Sequence, residues 1–463
     1  MKKLIFTLLC SAVTCLTLSV MAQPQTPPEG GTPKDFVLPA KQEVTLSNGL
    51  KAVVVPYGNI PKVVVQLIIK TGNMHEAKDQ VWLADLVGML LKEGTTSMDF
   101  KTLSQKVAGM GGEIDVQSGM NNVTISSSVL SEFAPDLIKI IGDMVINPAF
   151  PASEISRLKA DLSRNLTTDK SVPQNIAAER FFQILYKDHP YGRYFPTQEM
   201  IDSFTIDMVK KFYASNYGAL RSVIYVSGKF DEKKVFNAVE VALGKWSKGP
   251  EISYPAITNK YTKAEEIIDR NASPQTTIYL GLPTLMPKDK DIVALEVTNS
   301  LLGGSFGSRI TSNIREDKGY TYSPRSTIQD RIGASVWYES ADVTTEHTVE
   351  SLVEIKKEIN RLQGEPPSET ELIGIKKYMA GIFVLRNSSP AGIIRQLSFI
   401  ENYGLDDSYL TDRVKNIYAV TPEKVSQMTE DYFTYENMTL VMVGEKNLIN
   451  QQMKLVEKIK KLK

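Results

Sequence analysis

Repetition and periodicity predict an α+β fold made of two homologous domains. Each is expected to be a mainly antiparallel sheet with helices packed on it, and the two to face each other across a cleft. Three observations carry this. First, the segment from Asp202 to Val239 and the segment from Ala419 to Met453 follow one plan: a Thr-capped helix, an aromatic pair, a short loop, an apolar strand ending in Gly and a final helix. Their spacing of about 220 residues signals a duplicated domain and is far too long for a solenoid repeat. Second, stretches of period-two alternation give way to stretches with apolar residues at i, i+3, i+4 and i+7, the marks of strands and amphipathic helices. Third, a polar stretch with two prolines, ISYPAITNKY and its flanks, interrupts the pattern. It divides the chain into a first domain over residues 41–250, a linker over 251–266 and a second domain over 267–463. Where two similar domains face each other, the cleft between them is the default binding site.

Before the first domain lie two segments of another kind. In residues 1–22, Lys2 and Lys3 precede an apolar run from Leu4 to Val20, and Val20-Met21-Ala22 supplies small residues ahead of a cut, the pattern of a secretory signal peptide. The run also has the length of an uncleaved membrane anchor. Residues 23–40 are a Pro/Gly-rich leader expected to be flexible. The expected location is therefore outside the cytoplasm, in the periplasm of a Gram-negative cell. Cys10 and Cys15 are the only cysteines and leave with the signal, which excludes disulfides, thiolate metal sites and thiol catalysis in the mature chain. Without Lys2 and Lys3, 51 basic residues face 53 acidic ones, a net charge of −2 that advertises neither nucleic acid nor an anionic membrane.

Within the first domain, VTLSNGLKAVVVP with Asn48-Gly49 predicts a hairpin and VVVQLIIKTG a further strand. Leu83, Leu86, Val87 and Leu90 form one stripe of a helix over Asp79–Lys92. A helix over 99–111, two strands over 112–130 and a helix over Glu132–Asn147 follow, then helices from Ala152 to Tyr213, the strand RSVIYVSG and a helix from Asp231 to Trp246. HPYGR, at His189–Arg193, reads as a turn that anchors helices. KLVEKIKKLK at the C-terminus reads as the solvated face of an amphipathic helix.

The stretch Leu301–Ser323 carries the candidate chemistry. Gly303 and Gly304 lead into a helix with Phe306, Ile310 and Ile314 on one face, for which Ser305 is the expected N-cap and Gly319 the left-handed stop. Tyr320–Ile328 reads as a strand, made an edge or a bulge by Pro324. Arg315 in the last turn and Tyr322 early in the strand are then brought together as two hydrogen-bond donors able to hold a peptide carbonyl. GGSFGSR lacks the Gly-Lys-Ser/Thr ending of a phosphate loop.

These residues, together with HPYGR and VWLADLVGMLLKEGT at Val81–Thr95, give the chain a resemblance to the M16 family, which contains insulinase, pitrilysin and the processing peptidases. It resembles the short form, in which one chain makes half of a clamshell, and the likeness spans nearly the whole mature sequence. The resemblance implies the LuxS/MPP-like metallohydrolase fold. Active members carry an inverted zinc motif, H-x-x-E-H, with two His ligands and a Glu base. Alignment on Met89 and Gly94-Thr95 puts Ala84, Val87 and Gly88 at those three positions, so the motif is degenerate and no metal or other cofactor is expected in this chain. The family's third ligand falls near Arg164 and Asn165, with Glu154 and Asp161 nearby. His75, His189 and His347 show no ligand spacing.

Arg315 and Tyr322 match the seven-residue spacing of the pair with which active members bind substrate backbone at the scissile carbonyl. The resemblance therefore implies a non-catalytic subunit, with Gly303, Gly304 and Ser305 as a substrate loop and Arg315 and Tyr322 acting in trans. Its expected partner is a zinc-bearing M16 homologue in a heterodimer, its ligands are peptides, and a homodimer is the alternative pairing. A second class stays open: a scaffold or peptide-binding protein with no part in hydrolysis, like the core-protein members of the family.

Overall fold

The computed structural model describes residues 34, 36–257 and 261–462, with side chains to residue 455. Residues 1–22, read from the sequence as a signal peptide, and most of the expected leader lie outside the described residues. The end of the leader is packed rather than free: the Phe36 ring meets Phe383 edge-on at 5.1 Å, and Leu38 lies against an apolar cluster.

The first half builds a six-stranded sheet. Its strands are β1 (Gln42–Thr45), β2 (Lys51–Pro56), β3 (Lys62–Ile69), β4 (Asp115–Ser118), β5 (Val123–Leu130) and β6 (Ser222–Gly228), in the order β1-β2-β6-β3-β5-β4. The second half builds a five-stranded sheet from β7 (Glu265–Asp269), β8 (Gln275–Pro283), β9 (Arg325–Gln329), β10 (Val336–Thr344) and β11 (Thr439–Gly444), in the order β7-β11-β8-β10-β9. Apart from the extra β1, the two orders are the same. Each sheet has one parallel pair, β2 with β6 and β7 with β11, and is otherwise antiparallel. The duplication expected from the repeat is thus present strand for strand. Strand β7 starts at Glu265, inside the stretch expected as linker.

The hairpin at Asn48-Gly49 joins β1 to β2. Gly49 takes φ +92°, and Asn48 donates from Nδ2 to the carbonyls of Leu243 and Trp246, which ties the turn to the closing helix.

The helices of the first half that matter here are α1 (Leu83–Lys92), α2 (Phe100–Gly109), α3 (Ala134–Ile146), α4 (Ile155–Ser171), α5 (Pro173–Tyr186), α6 (Ile206–Asn216) and α7 (Glu232–Leu243). Those of the second half are α8 (Ile292–Asn299), α9 (Thr348–Gly364), α10 (Glu369–Arg386), α11 (Pro390–Tyr403), α12 (Pro422–Tyr432) and α13 (Lys446–Leu462). Thr205 and Thr421 cap α6 and α12, accepting from the N–H groups of Met208 and Lys424, as the repeat predicts. Helix α1 starts four residues later than its apolar pattern suggests, because Trp82 sits at φ +72° and interrupts any helix begun at Asp79.

One inner face of each sheet is covered by helices of its own half. The other is covered by a helix from the opposite half. On β6, Ile224 and Val226 join the first-half core, while Val223 and Tyr225 pack with Ile393, Ile394 and Leu397 of α11. On β11, Leu440 and Met442 join the second-half core, while Val441 and Val443 pack with Phe181 and Phe182 of α5. Both strands are therefore buried on both faces, which is why SVIYVSG and TLVMVG are continuous apolar runs rather than alternating ones. Ion pairs flank the exchanged helices. Arg180 of α5 grips Glu266 of β7 with two hydrogen bonds of 2.6 and 2.5 Å, and Glu401 of α11 receives Lys51 and Lys70 at 2.9 and 2.8 Å.

Candidate functional site

Two places concern the expected chemistry: one face of α1 and the segment after α8. On α1, Ala84, Val87 and Gly88 share a face, as i, i+3 and i+4 spacing requires, and all three are buried. That face is filled. Ser118 at the end of β4 donates its hydroxyl to the Ala84 carbonyl at 2.8 Å, and a Cβ at Gly88 would stand 2.5 Å from Ser118 Oγ and 3.6 Å from Val116 Cγ1. At Gly88 the edge strand β4 therefore stands directly against the helix. The nearby carboxylates are spoken for. Arg157 binds Glu154 at 2.7 Å, Glu93 at 2.5 Å and Asp161 at 3.4 Å, and Arg164 pairs with Asp161 as well. Among the described residues no group of three or more His, Cys, Asp or Glu is placed to hold a metal ion.

The histidines serve the fold. His75 and His189 donate from Nε2 to the carbonyls of Ser253 and Pro255, at 3.0 and 3.1 Å, and so strap the linker to the first half. His189 also accepts the Tyr191 N–H at Nδ1, which makes HPYGR the anchoring turn it resembles. Burial lowers the pKa of both rings. His347 pairs with Glu350 at 2.6 Å and stacks on Tyr320 at 4.3 Å.

The segment after α8 is built differently from its sequence reading. Helix α8 widens into a π turn over Ser300–Gly304, and Ser305 follows in extended conformation, so Ser305 ends a helix instead of capping one. The N-cap is Ser308, whose side chain accepts the Thr311 N–H, and the helical run continues to Asp317 with a second π turn. Gly319 supplies the left-handed stop at φ +67°. Tyr322 precedes the strand: β9 begins at Arg325, while Thr321 alone bridges to β10 and donates its hydroxyl to the Asp342 carbonyl at 2.8 Å. Gly303 is buried, and a Cβ there would meet Ser326 Oγ at 2.6 Å and Glu339 Oε2 at 2.7 Å. Gly303 and Ser305 thus face inward, Gly304 is half-buried, and the exposed tip of the turn is Phe306 and Gly307.

The structure does bring Arg315 and Tyr322 together. The guanidinium carbon lies 4.7 Å from the centre of the Tyr322 ring and 4.5 Å from that of Phe306, a cation–π contact with each ring. Both rings are largely in solvent, Phe306 at 68% and Tyr322 at 79% exposure. Glu316 takes the Arg315 Nε at 3.2 Å. Behind this display the helical run is fastened at two points. Arg309 makes a two-pronged pair with Glu371 of α10 at 2.8 and 2.9 Å, and Asn313 donates to Glu354 and Glu358 of α9 at 2.8 and 2.7 Å.

Sequence reasoning missed three of these residues. Phe306 was placed on the apolar helix face but is the outer ring of the stack. Arg309 and Asn313 carried no signal beyond their charge and polarity. Also missed was a pair of carboxyls at the start of α1. Glu76 accepts the N–H groups of Ala84 at 2.7 Å and Trp82 at 3.1 Å, capping the helix from upstream, and Asn73 donates to both Glu76 and Asp85 at 3.1 and 2.6 Å. Burial, and then the neighbouring Asp85 charge, push Glu76 well above the usual carboxylate range; burial lifts Asp85 from 3.8 to about 6.

Known proteins share this architecture. Residues 52–196 match the family model described as Insulinase (Peptidase family M16), and residues 203–379 match that of the Peptidase M16 inactive domain. A protein of Bacillus subtilis named "Uncharacterized zinc protease YmxG" is 24% identical over 414 residues, which is 86% of this chain and 97% of that one. One of Helicobacter pylori named "Non-peptidase homolog YmxG" is 22% identical over 394 residues, 84% of this chain and 90% of its own. The crystal structure of a peptidase M16 inactive domain from Pseudomonas fluorescens superposes with a TM-score of 0.79 at 24% identity, covering 87% of this chain and 98% of that one.

Proposed function

The chain belongs to the M16 peptidase family, and from that premise we propose that it is a non-catalytic subunit which lends Arg315 and Tyr322 to a zinc-bearing family member in a heterodimer. The observation that carries the reading is the exposed stack of Phe306, Arg315 and Tyr322 in a chain whose own ligand face, Ala84, Val87 and Gly88, is closed by Ser118. The guanidinium lies against both rings and Glu316 takes its Nε, and the reading assigns the terminal nitrogens to the substrate carbonyl. The Tyr322 hydroxyl is a second donor. Two such donors directed at a peptide carbonyl stabilise the oxyanion that develops when water attacks. The partner's zinc would supply the activated water; this chain orients the carbonyl. The reading includes export, on the strength of residues 1–22, and a peptide substrate.

Mixing the purified chain with its zinc-bearing partner tests this. The chain alone, with zinc added, should cleave no peptide, while the mixture should. Tyr322→Phe and Arg315→Ala should each lower kcat by about 100-fold with assembly unchanged on gel filtration, the usual cost of one oxyanion donor. Full turnover in both variants would remove the assigned role. Assembly lost with the stack would favour the other reading, a scaffold anchored through exposed aromatic and Arg side chains, which are common interface hot spots.

A further inference from the structure

Away from that stack, the second half contains a cavity of about 410 Å³ between α10, α11 and β9. Its ionisable lining is lopsided. Four guanidiniums, Arg325, Arg386, Arg395 and Arg413, face two carboxyls, Glu296 and Asp330. Arg413 is satisfied by Glu296. Asp330 is held up to about 7, by burial and then by the Glu296 charge, so it carries only part of a negative charge near neutrality. Among the described residues no ion pair engages the side chain of Arg325, Arg386 or Arg395, and all three are exposed at the cavity. An excess of cationic groups this concentrated is unusual in a chain whose formal net charge is +0.

The wall formed by α10 is unusual too. A helix on a protein surface carries a polar outer face, yet ELIGIKKYMAGIFVLR is apolar nearly all round, and toward the cavity it presents Met379, Ile382, Phe383 and Tyr378, the last at 49% exposure. The duplication supplies an internal control. Helix α4 holds the same place in the first half, directly before the exchanged helix, and it is polar, with its arginines Arg157 and Arg164 bound to carboxylates. The same position in the fold is thus self-satisfied in one half and left both cationic and apolar in the other.

We infer that this cavity docks an acidic peptide segment of another protein, its carboxylates paired with Arg325, Arg386 and Arg395 and its apolar side chains laid against the α10 wall. Charge complementarity picks the sign of the ligand, and planar guanidiniums suit carboxylates in particular. Concavity favours a peptide over a flat lipid surface. The site lies within this chain and requires neither zinc nor the role proposed for Arg315 and Tyr322.

The full chain, without any zinc-bearing partner, is titrated into a fluorescently labelled peptide of alternating Glu and Leu, and in parallel into one of alternating Lys and Leu. Anionic phospholipid vesicles form a third arm. The acidic peptide should bind, weaken as salt rises, and lose at least about tenfold in affinity with the triple variant Arg325→Gln, Arg386→Gln, Arg395→Gln. Tyr378→Ser should weaken it a few-fold with the salt dependence intact. Since all these side chains are exposed, thermal melting should show folded variants. Equal binding of the Lys peptide, unchanged binding by the triple variant, or capture of vesicles through these arginines with no peptide bound would each overturn the inference. Failure here leaves the peptidase-subunit reading standing, because the assay contains no partner.

Discussion

Replacing Asp85 with Asn should stabilise the protein at neutral and alkaline pH and leave it nearly unchanged in mild acid. Asp85 sits beside Glu76 at the start of α1, and burial raises its pKa from 3.8 to about 6. The folded protein therefore holds this proton to a higher pH than the unfolded chain does. Stability contributed by the proton is full below about pH 4 and is lost as the pH climbs through about 6. At about 1.4 kcal/mol per unit, the shift corresponds to a ceiling of about 3 kcal/mol. Asp85 retains some accessible surface, which screens the charge, so a gain of about 1–2 kcal/mol is expected. Asn keeps an oxygen for the bond from Asn73 Nδ2, now 2.6 Å long, and cannot ionise. Urea denaturation of both proteins at about pH 4 and about pH 8 reads the difference directly. A variant less stable than the parent at the higher pH, or offset equally at both, would refute the assignment of a destabilising buried charge.

Rebuilding the ligand set should fail: Ala84→His, Val87→Glu and Gly88→His together should bind zinc no more tightly than the parent in calorimetric titration, because a Cβ at position 88 already meets Ser118 Oγ at 2.5 Å. Micromolar zinc binding by the triple variant would show that β4 yields more easily than its packing implies. Phe181→Ala removes a buried ring of the exchanged helix α5 that contacts Tyr279 and Tyr338 at 5.8 and 5.9 Å. It should cost about 3–5 kcal/mol in denaturant unfolding; a loss below about 1 kcal/mol would mean that the helix exchange contributes little to holding the halves together.

What could be read from the sequence was local or repeated. Asn48-Gly49 announced its hairpin because the turn chemistry lies within two residues, and the Thr caps at 205 and 421 announced their helices for the same reason. The helix exchange had a signature that was present but ambiguous. The middles of SVIYVSG and TLVMVG, VIYV and LVMV, are apolar on both faces of the strand, which says that both faces are covered without saying by which helix. Around Arg315 the local signals misled. SFGSR offers two serines as caps, and the choice between them is made by Gly303, whose missing Cβ lets the π turn press on Ser326 and Glu339 and carries the chain past Ser305 before a new helix starts. Tyr322 looked like a strand residue by alternation, but only Thr321 reaches β10, and the strand waits until after Pro324. Glu76 could not have been read as the cap of α1, since the carboxylate arrives from eight residues upstream through a left-handed Trp82.

The two glycines tie these observations together. Gly88 presses α1 against Ser118 at the end of β4, and Gly303 presses the widened end of α8 against Ser326 on β9. Each removes the Cβ at the point where a helix meets the edge strand of its sheet. In the first half that contact fills the space in which metal-binding side chains would stand. In the second half it turns the chain outward, so that the residues next in line, Phe306, Arg315 and Tyr322, are displayed. One packing device, used in both copies of the domain, therefore closes one site and presents the other. The lack of ligands at Ala84, Val87 and Gly88 then goes with the packing of Gly88 on Ser118 as well as with three side chains, which is why substituting those three alone is expected to leave zinc unbound.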